Sequence, residues 1–321
     1  MLVFNKFRDK TLKKGFLKLT CSFILLCIYS TIYLVHVTEH PIEDIAAVII
    51  EDDNSSFCVR TRTLPSFDIC PFKPEEDVYV SAGLIEKGIW EPDILTIFQQ
   101  ALRIHPNATI IDIGSHVGFY SLLSAKMGHD VIAVEPYIRC LLRLRKAAKM
   151  NELDNKIKIV ESGASNDRNF YYMYFKKGNI GGTYLRESES ASSVRVKTVI
   201  LSDLISIKER RTLIIKADAE GFECKSLYDP NLFEVWHIPY IFMEWGLMFR
   251  GRHISANPCQ TEDLDRLVFL LSLNYTVYVS KNCRRLPNDW TNWRVDDIFW
   301  VHNKEPMLNC SLPDNSVKWI S

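Results

Sequence analysis

A chain of 321 residues, 47% hydrophobic and 24% charged, has enough apolar material for one large domain or two small ones and lacks the composition of a disordered chain. Its 39 lysines and arginines balance 39 aspartates and glutamates. No overall basic field exists to clamp nucleic acid, and no nucleic-acid partner is expected.

The first 18 residues carry Lys6, Arg8, Lys10, Lys13, Lys14 and Lys18 against the single acid Asp9. Residues 19–35, "LTCSFILLCIYSTIYLV", are uncharged and come near the lower end of the roughly 17–25 residues that span a bilayer. Glu39, Glu43, Asp44, Glu51, Asp52 and Asp53 follow. This asymmetry predicts a cytosolic tail at 1–18, a transmembrane signal anchor at 19–37 and everything beyond it outside the cytosol. The expected protein is single-pass and type II, in the Golgi or endoplasmic reticulum, with its domain in the lumen. A cleaved signal peptide is the alternative, although no A-x-A site follows promptly. Residues 38–75 contain Pro41, Pro65, Pro71 and Pro74 without sustained periodicity and read as a stem.

A lumen permits disulfides among Cys58, Cys70, Cys140, Cys224, Cys259, Cys283 and Cys310. The number is odd, so at least one stays free; Cys140 and Cys224 fall in predicted helices and are expected as buried thiols. Asn54, Asn107, Asn274 and Asn309 each begin a glycosylation sequon. No C-x-x-C or paired-histidine spacing points to zinc, and no metal site is expected.

From residue 76 to 321 the pattern alternates, as a single domain. Apolar residues recur at helical spacing over 91–102, with Pro92 suited to a first turn. "TIIDIG" (109–114) is the first strand, and "VGFYSLLSAKMG" its helix. "DVIAVEP" (130–136) is the second strand, followed by the helix "RCLLRLRKAAKMN", and "KIKIVES" (156–162) is the third. "NFYYMYF" and "SVRVKTVIL" read as an inserted strand pair joined by a glycine-bearing loop, 176–188. Strands at 212–221 and 240–246, a helix at 262–274 and strands at 275–280 and 297–303 complete the chain. Strands alternating with helices imply an α/β, doubly wound, mostly parallel sheet, and the helix–strand–strand ending adds an antiparallel terminal strand.

"IIDIGSHVGFYSLL" (110–123) places a glycine turn between a strand and a helix, a natural ligand cradle. A dinucleotide fingerprint would need glycines at 114, 116 and 119, but the chain has Gly114, His116 and Phe119. Glu135 ends the second strand 21 residues after Gly114, where an acid can hold both ribose hydroxyls of an adenosine-like ligand. A ribose and adenine with a carboxylate and amine in place of phosphates describe S-adenosylmethionine. Gly114 lets the backbone approach it, the helix N-terminus near Gly118 favours its carboxylate, and Asp112 orders the loop or meets the amine.

Together, "WEPDILTIF", "ATIIDIGSHVGFYSLLSAKMGHDVIAVEP" and "IIKADAEGFE" resemble the FkbM-type S-adenosylmethionine-dependent methyltransferase domain over about residues 78–250. The resemblance implies a Rossmann-like class I methyltransferase fold and O-methylation of a hydroxyl. With the anchor and stem it resembles a Golgi glycan-modifying enzyme, so a glycan or other hydroxyl-bearing acceptor is expected. It implies cofactor contacts at Asp112, Gly114, Gly118 and Glu135, and an adenine-side loop at 163–168 that includes Ala164. Lys216, Asp218, Glu220 and Glu223 match its charged segment beside the acceptor.

Lys216, Asp218 and Glu220 alternate, so in an extended segment they point to one side, either into a cleft or into an ion pair. Asp218 is the expected base, with Lys216 holding it ionised or orienting the acceptor. Glu244, ending the strand at 240–246, is either an acceptor ligand or a buried partner. His116 reads as a loop residue rather than a base, and Trp90 and Glu91 either cap the pocket or pack. Trp290, Trp293, Phe299 and Trp300 read as edge-strand packing rather than a sugar platform. Two other functions remain open: an inactive methyltransferase fold serving as a lumenal binding protein, and an anchored glycosyltransferase. For the latter, "DAE" (218–220) is a poor D-x-D metal motif.

Overall fold

The computed structural model describes residues 57–206, 212–251 and 257–311. The expected tail, the anchor at 19–37 and the stem up to residue 56 lie outside them. Among the described residues no helix is long and apolar enough to cross a membrane.

Residues 57–75, expected as stem, are built into the domain. β1 (Val59–Arg60) pairs antiparallel with β2 (Asp68–Ile69), and Phe67, Ile69 and Phe72 are fully buried. Arg143 lies 4.0 Å over the Phe72 ring and donates to the Pro71 carbonyl at 2.8 Å. Strands of two residues leave no periodicity to read, although their apolar side chains still find the core.

α1 (Val80–Lys87) and α2 (Pro92–Ile104) follow, the second with its proline in the first turn and Ile94, Leu95, Ile97 and Phe98 buried. β3 (Thr109–Ile113), α3 (Phe119–Lys126), β4 (Val131–Glu135), α4 (Ile138–Met150) and β5 (Ile157–Glu161) form two successive βαβ units. Every residue of β3 and β4 is buried, the signature of a parallel sheet covered on both faces. The insert adds β6 (Gly163–Ala164), β7 (Phe170–Lys176), β8 (Asn179–Arg186) and β9 (Val194–Val199). The chain then returns through β10 (Thr212–Ala217), α5 (Glu223–Ser226), α6 (Pro230–Val235), β11 (His237–Glu244), α7 (Gly246–Gly251), α8 (Thr261–Ser272), β12 (Tyr275–Val279) and β13 (Asp297–His302).

The main sheet has the order β12-β13-β11-β10-β3-β4-β5. β11, β10, β3, β4 and β5 run parallel, and β13 runs antiparallel to both of its neighbours. The expected antiparallel terminal strand is therefore present, but it slips between β11 and β12 instead of lying outermost. Chain order reverses between β3 and β10, which opens a crevice at their carboxyl ends.

A second sheet, ordered β6-β9-β7-β8, overhangs that crevice. The segment expected as a glycine loop forms β8, and its glycines have a packing reason: a Cβ on Gly181 would press on the Val80 side chain at 2.9 Å. Trp293 is buried between Trp245 and Trp300, with ring centroids 4.9 Å (Trp245–Trp293) and 5.7 Å (Trp293–Trp300) apart, so these tryptophans pack the core.

Among the described residues the disulfides are Cys58–Cys70, Cys224–Cys259 and Cys283–Cys310, and Cys140 is free and buried. Cys224 is not the free thiol expected. Its helix is one turn long and faces the segment leading into α8, which brings Cys259 into reach.

Candidate active site

The loop after β3 turns on Gly114, at φ +72°, and Gly118, at φ +88°. A Cβ on Gly114 would overlap the Asp218 carbonyl, and one on Gly118 would overlap Leu144 of α4. Both glycines therefore serve close packing of the loop against β10 and α4, a stricter demand than approach to a ligand. Asp112 is buried and accepts from the Ser121 hydroxyl at 2.6 Å, which ties the strand to the first turns of α3. Burial pushes its carboxyl up to about 6.

Glu135 ends β4 and reaches back over the same loop. Its Oε2 accepts from the His116 amide at 3.0 Å and its Oε1 from the Tyr137 amide at 2.8 Å. Burial raises the carboxyl to about 7 despite those two donors. Gly114, Glu135, Ala164, Asp218 and Glu220 line one cavity, whose roof is Met173 of β7 and Leu185 of β8. An adjoining cavity is lined by Asp112, Gly114, Lys216, Asp218 and Glu220, with Trp90 at its side. His116 faces both, and its ring nitrogens are buried without a hydrogen-bond partner. Burial lowers its pKa and keeps the imidazole neutral.

Lys216 is 1% exposed, on β10. Its ammonium lies 3.1 Å from Asp218 Oδ2 and 3.6 Å from Glu91 Oε2. Burial alone would lower its pKa, but Asp218 and Glu91 outweigh burial and hold it above the usual lysine range. Glu91 is in turn fixed by the Tyr120 hydroxyl at 2.8 Å, so it is a member of the charged cluster and more than a packing residue.

Glu220 departs from the expected alternation. β10 ends at Ala217, and Glu220 sits in a left-handed turn at φ +53°, where its carboxylate meets Lys176 of the overhanging sheet at 3.4 Å. Burial raises it to about 7.

Glu244, at the end of β11, lines neither cavity. It converges with Asp218 and Glu223, one carboxylate oxygen of each lying within 4.8 Å of the others. Burial, with Asp218 and Glu223 beside it, pushes Glu244 up to about 11, and burial raises Glu223 to about 8. Asp297 is opposite Glu244 across β11 and β13, is raised to about 7 by burial, and was not singled out from the sequence. Its only signal was an acid opening an otherwise apolar strand.

The sequence profile of the Methyltransferase FkbM domain matches residues 112–277, more than half of the chain. The chain belongs to the FkbM methyltransferase family. Its sheet order is that of the class I methyltransferase fold, as expected. A search of curated protein sequences finds no match.

Among solved structures, an O-methyltransferase from Bacillus cereus in complex with SAH is similar at TM-score 0.38 and 14% identity, covering 70% of this chain and 86% of that one. The 16S rRNA N2 G1207 methyltransferase RsmC of T. thermophilus, in complex with AdoMet and guanosine, has TM-score 0.38 and 13% identity, covering 77% and 50%. The precorrin-6y C5,15-methyltransferase of Geobacter metallireducens GS-15 has TM-score 0.35 and 13% identity, covering 68% and 91%.

The cofactor of this FkbM-family domain is S-adenosylmethionine, and the residues present fit it. Asp112, Asp218 and Glu220 line the cavities, and burial raises the carboxyls of Asp112 and Glu220, so a bound sulfonium and amine would meet groups able to ionise beside them. The Glu135 carboxylate and the apolar Ala164 both lie on the cavity wall, where a ribose and an adenine could meet them.

Proposed function

We propose that this chain transfers a methyl group to a hydroxyl of a glycan sugar, as a single-pass type II membrane protein whose domain lies in the lumen of the Golgi or endoplasmic reticulum. The observation that carries the chemistry is Asp218, held on the buried Lys216 ammonium and lining the crevice with its backbone packed directly against Gly114. The cofactor, when bound, supplies an already activated methyl, so the protein must align an oxygen and accept one proton. Glu135 holds the ribose hydroxyls. Asp218 takes the acceptor proton, and Lys216, itself paired with Glu91, orients Asp218 through their 3.1 Å ion pair.

Three disulfides support an oxidising compartment. The sequon residues Asn107 and Asn274 are exposed, just before β3 and β12, on the rim opposite Gly114 and Asp218, where glycans would leave the crevice open. The basic, apolar and acidic run of residues 1–53 supports the anchored topology. The glycosyltransferase alternative falls with the family assignment.

Two measurements test the reading. Calorimetric titration of the purified chain with S-adenosylhomocysteine should show one site; no heat of binding leaves only an inactive fold. Transfer of a labelled methyl from the cofactor to secretory glycoproteins should place the label in the fraction released by a glycosidase. Label retained on the polypeptide would overturn the glycan acceptor.

A further inference from the structure

Three carboxylates reach one point from separate places in the chain: Asp218 from the turn after β10, Glu223 from the first turn of α5, and Glu244 from the end of β11. One oxygen of each lies within 4.8 Å of the other two. Oxygens that share a hard divalent cation at about 2.0–2.6 Å lie about 3–5 Å from one another, so this is the spacing of a coordination shell.

The second observation is an unmet need. Glu223 is fully buried. Its Oε1 accepts from the amides of Ala219 at 2.7 Å and Gly221 at 3.4 Å, yet its Oε2 is buried with no donor. The Oε2 of Glu244 is likewise buried without a partner. Lys216, the buried ammonium closest to hand, is engaged with Asp218 Oδ2 and Glu91. Carboxylate oxygens buried without a partner are strongly unfavourable unless a cation or protons neutralise them.

We propose that Asp218, Glu223 and Glu244 bind one divalent cation of the oxygen-preferring kind, Mg2+ or Mn2+, at the edge of the crevice. An all-carboxylate donor set suits these ions and not the thiolate and imidazole preferences of zinc. No ligand spacing in the sequence announces the site, because it is assembled from two strand ends and a helix start. Three protein oxygens leave coordination positions for water and for acceptor oxygens. Asp218 keeps further lone pairs after meeting Lys216, so the cation and the acceptor hydroxyl can adjoin it together. A cation there would draw two neighbouring sugar hydroxyls into place and acidify the one to be methylated. That use rests on the methyl-transfer reading above; the binding does not.

The test uses the full chain, stripped with a chelator and titrated with Mn2+ alone, free Mn2+ being read by electron paramagnetic resonance. One Mn2+ per chain, displaced by Mg2+, is the expected result. Glu244→Gln should weaken it at least tenfold, and so should Glu223→Gln, while the exposed Glu234→Gln should leave it unchanged. Glu223 also holds two backbone amides, so the Glu244 variant decides if the Glu223 variant melts early by circular dichroism. Absence of binding at millimolar Mn2+, or binding unaffected by Glu244→Gln, overturns the site and means the carboxyls carry protons instead. S-adenosylhomocysteine binding, measured in chelator, is read separately. Its retention without Mn2+ binding sinks the cation site alone; Mn2+ binding without it sinks the methyl-transfer reading alone.

Discussion

At Glu135, both carboxylate oxygens already accept a backbone N–H, from His116 and Tyr137, but each retains a second lone pair for a ribose hydroxyl. The residue therefore shapes the loop with the same atoms that the proposed function assigns to the ribose. Charge-assisted bonds of this kind are worth about 1.5–3 kcal/mol each. Glu135→Gln, which keeps the shape but sets an NH2 against an N–H donor, should weaken S-adenosylhomocysteine binding at least tenfold by calorimetry. An unchanged dissociation constant would move the ribose elsewhere. Asp218 makes the complementary case. Asp218→Asn preserves volume and cannot take a proton, so turnover should fall about 10²–10⁴-fold while cofactor affinity stays within a few-fold. Should Asp218→Asn remain active and Glu220→Gln lose activity instead, the base is the carboxyl on the Lys176 side of the crevice.

The β3–α3 loop and the β10–α5 turn touch so closely that neither can be altered alone. Gly114 needs φ +72°, and a methyl at its Cα would overlap the Asp218 carbonyl. The left-handed backbone by itself costs a non-glycine residue roughly 1–2 kcal/mol. Gly114→Ala should therefore lower the unfolding free energy in denaturant by at least about that much and displace Asp218, losing activity out of proportion to stability. A variant of full stability and full turnover would show the two elements to be independent. What was legible beforehand follows the same logic of scale. β3, β4, β10 and β11 announce themselves because strands buried on both faces are apolar runs, and the residues expected at the cofactor, Asp112, Gly114 and Glu135, sit at their ends, where spacing along the chain maps directly onto position in the sheet. β1 and β2 were invisible because two residues carry no period, and β8 because Gly181 and Gly182 imitate a loop when they are clearing space for α1 and the insert. Glu220 was misplaced because alternation was extended past the last residue of β10. Cys224 and Glu244 depend on partners from other elements, Cys259 and the Asp218–Glu223 pair, and periodicity within one element says nothing about those.

Across the whole molecule, the crevice and the strand ends beside it gather acids that burial pushes far above their ordinary range: Glu135, Glu220 and Asp297 at about 7, Glu223 at about 8 and Glu244 at about 11, against 4.5 for a glutamate and 3.8 for an aspartate. In the unfolded chain each of these has lost its proton well below pH 7. The native state thus binds more protons than the unfolded state, and stability must fall as pH rises through the folded values. The buried histidines His116 and His129 act in the opposite sense, because burial lowers their pKa below 6.5, but above about pH 7.5 they are neutral in both states. Lys216 is raised, so its contribution persists up to the ordinary lysine value of 10.5 and is silent in this window. Cys140, raised by burial, adds to the same downward slope at the alkaline end. Between pH 7 and 9 the acids therefore set the sign, and the protein without cofactor should lose stability over a range where most domains are level. Scanning calorimetry in chelator, without reductant so that the disulfides stay closed, should show Tm dropping steadily from pH 7 to 9. Saturation with S-adenosylhomocysteine, whose amine is cationic, should flatten that drop, since a bound positive charge lets the neighbouring carboxyls ionise in the folded state. A Tm that holds level or rises over this range in the free protein would mean the carboxyls are already ionised inside the fold.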